Sequence, residues 1–205
     1  MSLDAATPDA ALPGQLLSAR VPVAEIRRVP RPIVLIDGGS GSGKTTLAPH
    51  LAASLGAGLV HLDDVYPGWD GLEAGSQHLH DNVLATDNPR WQRWDWATDE
   101  PAEWNLLDPT RPIIVEGSGS LTRANRALAD AAIWVEFDDT ERKRRALERD
   151  GEMYAPHWDQ WAAQEEAFVA RENPASLADG IVDGRDVAAA AGVWRQLIWK
   201  AQELA

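Results

Sequence analysis

"IVLIDGGSGSGKTTLA", residues 33–48, begins as an apolar run, breaks into glycines and then passes through a lysine and two threonines. Ile33, Val34, Leu35 and Ile36 form a short continuous apolar run, the mark of a strand buried on both faces. Gly38-Gly39-Ser40-Gly41-Ser42-Gly43-Lys44-Thr45 then satisfies G-x-x-x-x-G-K-[ST] in full. Leu47, Leu51 and Leu55 recur every four residues, which places them on one face of a helix. The strand before and the helix after set this loop apart from a glycine turn that merely joins two elements. Glycines let the chain curl so that consecutive N–H groups converge on phosphate oxygens, and the positive end of the helix dipole adds to the attraction. The expected phosphate-binding set is therefore Gly39, Ser40, Gly41, Ser42, Gly43, Lys44, Thr45 and Thr46. Lys44 can reach the terminal phosphates as a point charge, and the Thr45 hydroxyl can ligate magnesium.

Outward from this loop the chain reads as α/β. Further strands are expected over 58–64, 112–117 and 131–137, with a weaker one over 180–184. Helices fit 121–130, 140–150, 158–171 and 187–204. Strands alternating with helices imply a doubly wound parallel sheet of about five strands with helices on both faces. Pro49, inside the first helix, predicts a local bend. Residues 1–30 carry four prolines and little periodicity, and read as an irregular lead-in with a short helix near 15–20. Residues 31–205 then form a single domain. The stretch 67–108 breaks the rhythm with Trp69, Trp91, Trp94, Trp96 and Trp104, and is a candidate substrate-binding insertion after the second strand.

Composition narrows the class of partner. The 205 residues are 44% hydrophobic and 25% charged, ordinary for a globular protein, and their net charge of −13 opposes broad binding to nucleic acid or anionic membrane. Any phosphate site must be built locally. Lysine occurs only at 44, 143 and 200, so its presence in the glycine loop carries weight. Without cysteine there is no thiolate metal site and no cysteine nucleophile. No signal-peptide pattern or membrane-length apolar run is present, and a cytoplasmic location is the expectation. His78, His80 and His157 receive no assignment. The sequence leaves the oligomeric state open.

In an open parallel sheet, ligands bind at the carboxyl ends of the strands. Asp37, Asp63-Asp64 and Glu116 stand at three such ends. Asp63 is the chosen base for an acceptor hydroxyl, with Glu116 holding magnesium directly or through water. Asp37 and Asp64 also suit turn or cap roles, and Asp138 and Asp139 read as caps.

These residues together resemble the P-loop small-molecule kinases of the uridine kinase, nicotinamide riboside kinase and phosphoribulokinase type. "IDGGSGSGKTTLA" followed by "HLDDVYPGW" is similar to their loop and to the Asp-Asp-Phe-Tyr segment after their second strand, with Val65 replacing the phenylalanine. The resemblance implies that Asp63 is the catalytic base and a magnesium-site residue, and that Tyr66 lines the acceptor pocket. "VEGSGSL" (115–121) is similar to their Glu-Gly segment, which supports Glu116. "FDDTERKRRALERD" (137–150) looks like their lid-approach helix and implies that Arg142, Arg145 and Arg149 face the transferring phosphate, within a lid region over 142–157. The bland alternative is a solvated basic face paired with Glu141 and Glu148. "RWDWATDEPAEW" (93–104), matched to an acceptor segment, puts Trp94 and Asp95 on the acceptor; the alternative is that these tryptophans form the insertion's own small core. After Arg149 the chain departs from the family, continuing as "GEMYAPHWDQW". The expected activity is ATP- and magnesium-dependent phosphoryl transfer to a hydroxyl of a small molecule, with a nucleoside or ribosyl compound as one acceptor class. The rival is an ATP-binding hydrolase or regulatory switch. A guanine-reading Asn-Lys-x-Asp is absent.

Overall fold

The computed structural model describes residues 16–19 and 31–187. Six strands form the main sheet: β1 (Leu16–Ala19), β2 (Ile33–Asp37), β3 (Gly58–His61), β6 (Ile113–Glu116), β7 (Ala131–Glu136) and β8 (Gly180–Asp183). They lie in the order β1-β8-β7-β2-β6-β3. β8, β7, β2, β6 and β3 run parallel, so the glycine loop leaves an interior strand with neighbours on both sides. The expected parallel sheet of about five strands is what forms.

Its strands are apolar throughout because both faces are covered. Val34 and Ile36 of β2 point to the face packed by Leu47 and Leu51 of α1 (Lys44–Leu55), whereas Leu35 between them joins the opposite cluster with Trp161 and Phe168 of α5 (Trp158–Glu172). Ile114 and its neighbours Ile113 and Val115 on β6 alternate in the same way. Each such fully buried side chain contributes about 1.5–3 kcal/mol relative to exposure. α1 continues through Pro49 and stops at Gly56, whose φ of 61° is left-handed.

Two expectations need correcting. The helix near 15–20 is replaced by β1, which pairs antiparallel with β8: the backbone hydrogen bonds of an open sheet edge decide the conformation of so short a segment. The second strand ends at His61 rather than at 64, because Leu62–Asp64 turns into a short 3-10 helix. The helix expected over 187–204 lies outside the described residues, apart from its first position, as does most of the 1–30 lead-in.

Between β3 and β6 the chain forms α2 (Leu72–His78), a π-helical turn over Leu79–Val83, and a hairpin of β4 (Arg90–Asp95) and β5 (Glu100–Leu106). Trp69, Trp91 and Trp96 pack against the core on the α5 side of the sheet. Beyond β6 come α3 (Arg123–Leu128), capped by Thr122, and α4 (Asp139–Tyr154), capped by Asp138, whose carboxylate accepts from the amides of Thr140 and Glu141. α4 breaks its helical course at Gly151 (φ 58°, ψ −137°). A short α6 (Pro174–Leu177) leads into β8.

Candidate functional site

The glycine loop lies at the carboxyl end of β2 with Gly38, Gly41 and Gly43 at φ 152°, 79° and 110°. All three lie where side chains are disfavoured, so the curl of the loop depends on glycine there. Gly43 is the N-cap of α1. Lys44 is buried, and its Nζ donates to the carbonyls of Gly38 (2.7 Å) and Gly39 (3.1 Å). The Ser42 hydroxyl is buried without a partner, an orphaned polar atom inside the cradle. On the side nearest β8, Gly184 packs so closely that a Cβ there would meet the Ser42 carbonyl.

Asp37 serves the frame. It is buried at the end of β2 and accepts from the amides of Gly38 (2.6 Å), Leu121 (2.7 Å) and Gly119 (3.2 Å), tying the glycine loop to the turn after β6. Loss of water around it raises its carboxyl to about 7, against the pull of those amides and of Lys44.

The carboxylates of the neighbouring strands meet beside α1. Thr45 Oγ1 donates to Glu116 Oε1 at 3.2 Å, and His61 Nδ1 lies 2.6 Å from the same oxygen. That hydrogen bond, more than anything else, holds the His61 imidazole above its ordinary range. Asp63 is open to solvent through a cleft of about 430 Å³, yet protein closely surrounds it. The enclosure raises its carboxyl above the usual range, the charge of Glu116 raises it further, and Lys44 and Arg149 oppose both. Thr45, Asp63 and Arg149 all line this cleft.

Magnesium favours oxygen ligands and is commonly held by one or two protein groups plus substrate phosphates. Thr45, Glu116 and Asp63 supply such oxygens, and the loop with its orphaned Ser42 hydroxyl suits the phosphates. Among the described residues no group of three His, Cys, Asp or Glu side chains could hold a metal ion. Oxygen donors few in number and set beside a phosphate cradle fit a magnesium ion that arrives with a nucleotide.

The other candidates divide. Arg149 reaches the cleft, where its Nε and Nη2 donate to Asp150 at 2.8 and 2.6 Å. Arg142 lies over the loop itself, with Nη1 donating to the Ser40 carbonyl (3.0 Å) and to Glu165 Oε2 (3.3 Å). Arg145 turns away: its guanidinium lies 3.9 Å over the Phe137 ring and donates to the Gly184 carbonyl at 2.8 Å. Tyr66 forms part of the cleft wall from a buried position, its hydroxyl donating to the Ser118 carbonyl at 2.7 Å. Trp94 and Asp95 do not line the cleft. Asp95 accepts from the amide of Ala97 at 3.0 Å and closes the hairpin turn.

In their place stand Trp69 and Trp96, named in the sequence only as members of the insertion, and Tyr154, which received no role. Trp96 donates through Nε1 to the Asp63 carbonyl (2.8 Å) and meets Trp69 at 4.8 Å between ring centroids. Trp69 stacks on Tyr154, whose hydroxyl, bonded to Ser40, has its pKa raised by burial. The departure after Arg149 is the signal that could have found Tyr154. Glu165, in the sequence Gln164-Glu165-Glu166, carries no signal at all.

No family model and no curated protein sequence matches the chain. Among solved structures it is similar to a possible uridine kinase from Bacillus stearothermophilus, at 22% identity over 74% of this chain and 88% of that one, with a TM-score of 0.51. Shikimate kinase from Acinetobacter baumannii, in complex with shikimate, matches at 17% identity over 83% and 94%, with a TM-score of 0.49. A gluconokinase from Sinorhizobium meliloti 1021 matches at 16% over 87% and 99%, with a TM-score of 0.46. The first of these likenesses shows the fold alone, a parallel α/β sheet with the glycine loop on an interior strand.

Proposed function

We propose that this protein transfers the terminal phosphoryl group of ATP to a hydroxyl of a small molecule. The observation that carries the reading is that Asp63 and Thr45, the latter bonded to Glu116, line one cleft beside the glycine loop. The acceptor oxygen forms a bond to the terminal phosphorus as the bridging P–O bond to ADP breaks, and the acceptor's proton passes to Asp63. A carboxyl raised above its usual range suits that task, since proton transfer is most efficient when the base is poised nearer the working pH. The loop amides and Lys44 bind the nucleotide's phosphates, which requires Lys44 Nζ to turn from the Gly38 and Gly39 carbonyls toward them. Magnesium, held by Thr45 and Glu116, would neutralise charge between the outer phosphates. Arg142 and Arg149 balance the charge that spreads over the phosphoryl oxygens.

The acceptor occupies the side of the cleft bounded by Trp69, Trp96 and Tyr154. Flat indole and phenol faces suit a ring-shaped acceptor, and a nucleoside or ribosyl compound is the leading class. Residues 67–108 then act as the acceptor-binding part of a single domain. Trp69 and Trp96 assume the acceptor role first expected of Trp94 and Asp95, and Arg145 keeps a structural one.

Asp63→Asn tests the reading. Mg·ATP binding by titration calorimetry is expected to persist while transfer to hydroxyl acceptors falls by about 10²–10⁴. Near wild-type turnover would remove Asp63 from the role of base. ADP production that stays flat across a broad panel of hydroxyl compounds would favour an ATP-driven switch instead.

A further inference from the structure

Glu165 is a buried charge that takes no part in the proposed transfer. Glu165 is 6% exposed and projects from α5 onto the glycine loop, 125 residues away in sequence. Its Oε1 accepts from the Ser40 amide (2.7 Å), the Ser40 hydroxyl (2.7 Å) and Trp161 Nε1 (3.0 Å), and lies 2.7 Å from Ser118 Oγ. Its Oε2 lies 3.3 Å from Arg142 Nη1. A loop amide, two hydroxyls, an indole N–H and an arginine converging on one anionic group make the kind of donor set that would hold a phosphoryl oxygen. Among these donors is an amide of the glycine loop itself.

We infer that Glu165 is a built-in stand-in for phosphate: it occupies the Ser40 amide and Arg142 and must yield them when a nucleotide's outer phosphate arrives. The inference rests on the proposed nucleotide site and adds a residue that competes for it. Two anions cannot share those donors without mutual repulsion, so binding requires the carboxylate to withdraw. α5 carries that movement to the acceptor side. One turn before Glu165, Trp161 lines the cleft and meets Tyr66 edge-on at 4.7 Å. The adjacent Gln164 donates to the Trp69 carbonyl at 2.7 Å. Filling the donor site therefore alters the support of the acceptor wall.

Glu165→Gln removes the charge and keeps the shape. It is expected to tighten Mg·ATP binding by about tenfold, within the span usual for coupling between groups. A merely structural ion-pair role predicts the opposite, a lower thermal midpoint with unchanged or weaker Mg·ATP affinity, and that result overturns the inference. A second readout uses the unaltered chain. The indole N–H resonance of Trp161, assigned by its disappearance in Trp161→Phe, is expected to move upfield on addition of Mg·ATP as its bond to Glu165 breaks. A resonance unmoved at saturation overturns the inference, and this measurement decides if the Glu165→Gln protein does not fold. Binding by the wild type without tightening in the variant sinks this inference alone. Absence of binding in both sinks the proposed kinase activity with it, and binding only in the variant supports the inference.

Discussion

Asp37 and Asp63 follow two strands of the same sheet, and their surroundings give them different work. Asp37 is enclosed and held by three amides, while Asp63 faces a cleft. The raised carboxyl of Asp37 has a consequence for stability. Its folded value of about 7 lies above the ordinary 3.8, so the folded state holds the proton more tightly. The resulting stabilisation is full below about pH 4 and is lost as pH rises toward about 7. Comparing wild type with Asp37→Asn in denaturant titrations removes the contributions of other groups. The stability difference is expected to move against the wild type across that window, by on the order of 4 kcal/mol in total, and to level off above it. A difference independent of pH would mean that Asp37 stays ionised throughout. At this scale the glycine loop was readable because every constraint on it is local: a helix start, left-handed backbone and a lysine within eight positions. Glu165 was not. An acid between Gln164 and Glu166 looks like a solvated helix face, and only the packing of α5 on the loop gives it partners.

Among the elements, α4 shows how far helical spacing can be trusted. Arg142, Arg145 and Arg149 suggested one working face, and the end of β8 claims the middle one through the Gly184 carbonyl. That partner comes from the end of the strand beside β7, far along the chain and beyond any local pattern. The break at Gly151 likewise follows from what comes after it, since the chain must turn to bring Tyr154 against Ser40 and Trp69. A Cβ at Gly151 would meet nothing within 4 Å, so a substitution there tests backbone conformation alone. Gly151→Ala is expected to cost about 1–3 kcal/mol in urea unfolding, the usual penalty for a residue held in a sparsely populated backbone region. An unchanged midpoint would show that α4 straightens without loss. β4 and β5 went unread because tryptophans, prolines and acids mask their alternation. Trp94 was expected at the acceptor from a resemblance between segments, and it is Trp96, two positions on, that lines the cleft.

For the whole molecule, the net charge of −13 and the phosphate site pull in opposite directions. The excess of acids repels itself in the compact state, and monovalent salt screens that repulsion. Raising sodium chloride from about 10 to about 150 mM, which shortens the screening length from about 30 to about 8 Å, is expected to raise the thermal midpoint. A fall would indicate that attractive ion pairs such as Arg126–Asp179 outweigh the general repulsion. The parallel sheet was legible as a whole because each strand is a short apolar run between polar turns. β1 was not, since its pairing with β8 depends on an edge left open by the rest of the sheet.

The bond from the Ser40 amide to Glu165 spans 125 positions. On a ribosome adding about 5–20 residues per second, the motif leaves the decoding centre on the order of ten seconds before α5 is even synthesised. During that interval a half-made chain can display the glycine sequence but lacks the internal anion that later guards it, so any capture of cellular phosphates by the nascent polypeptide falls in that early period.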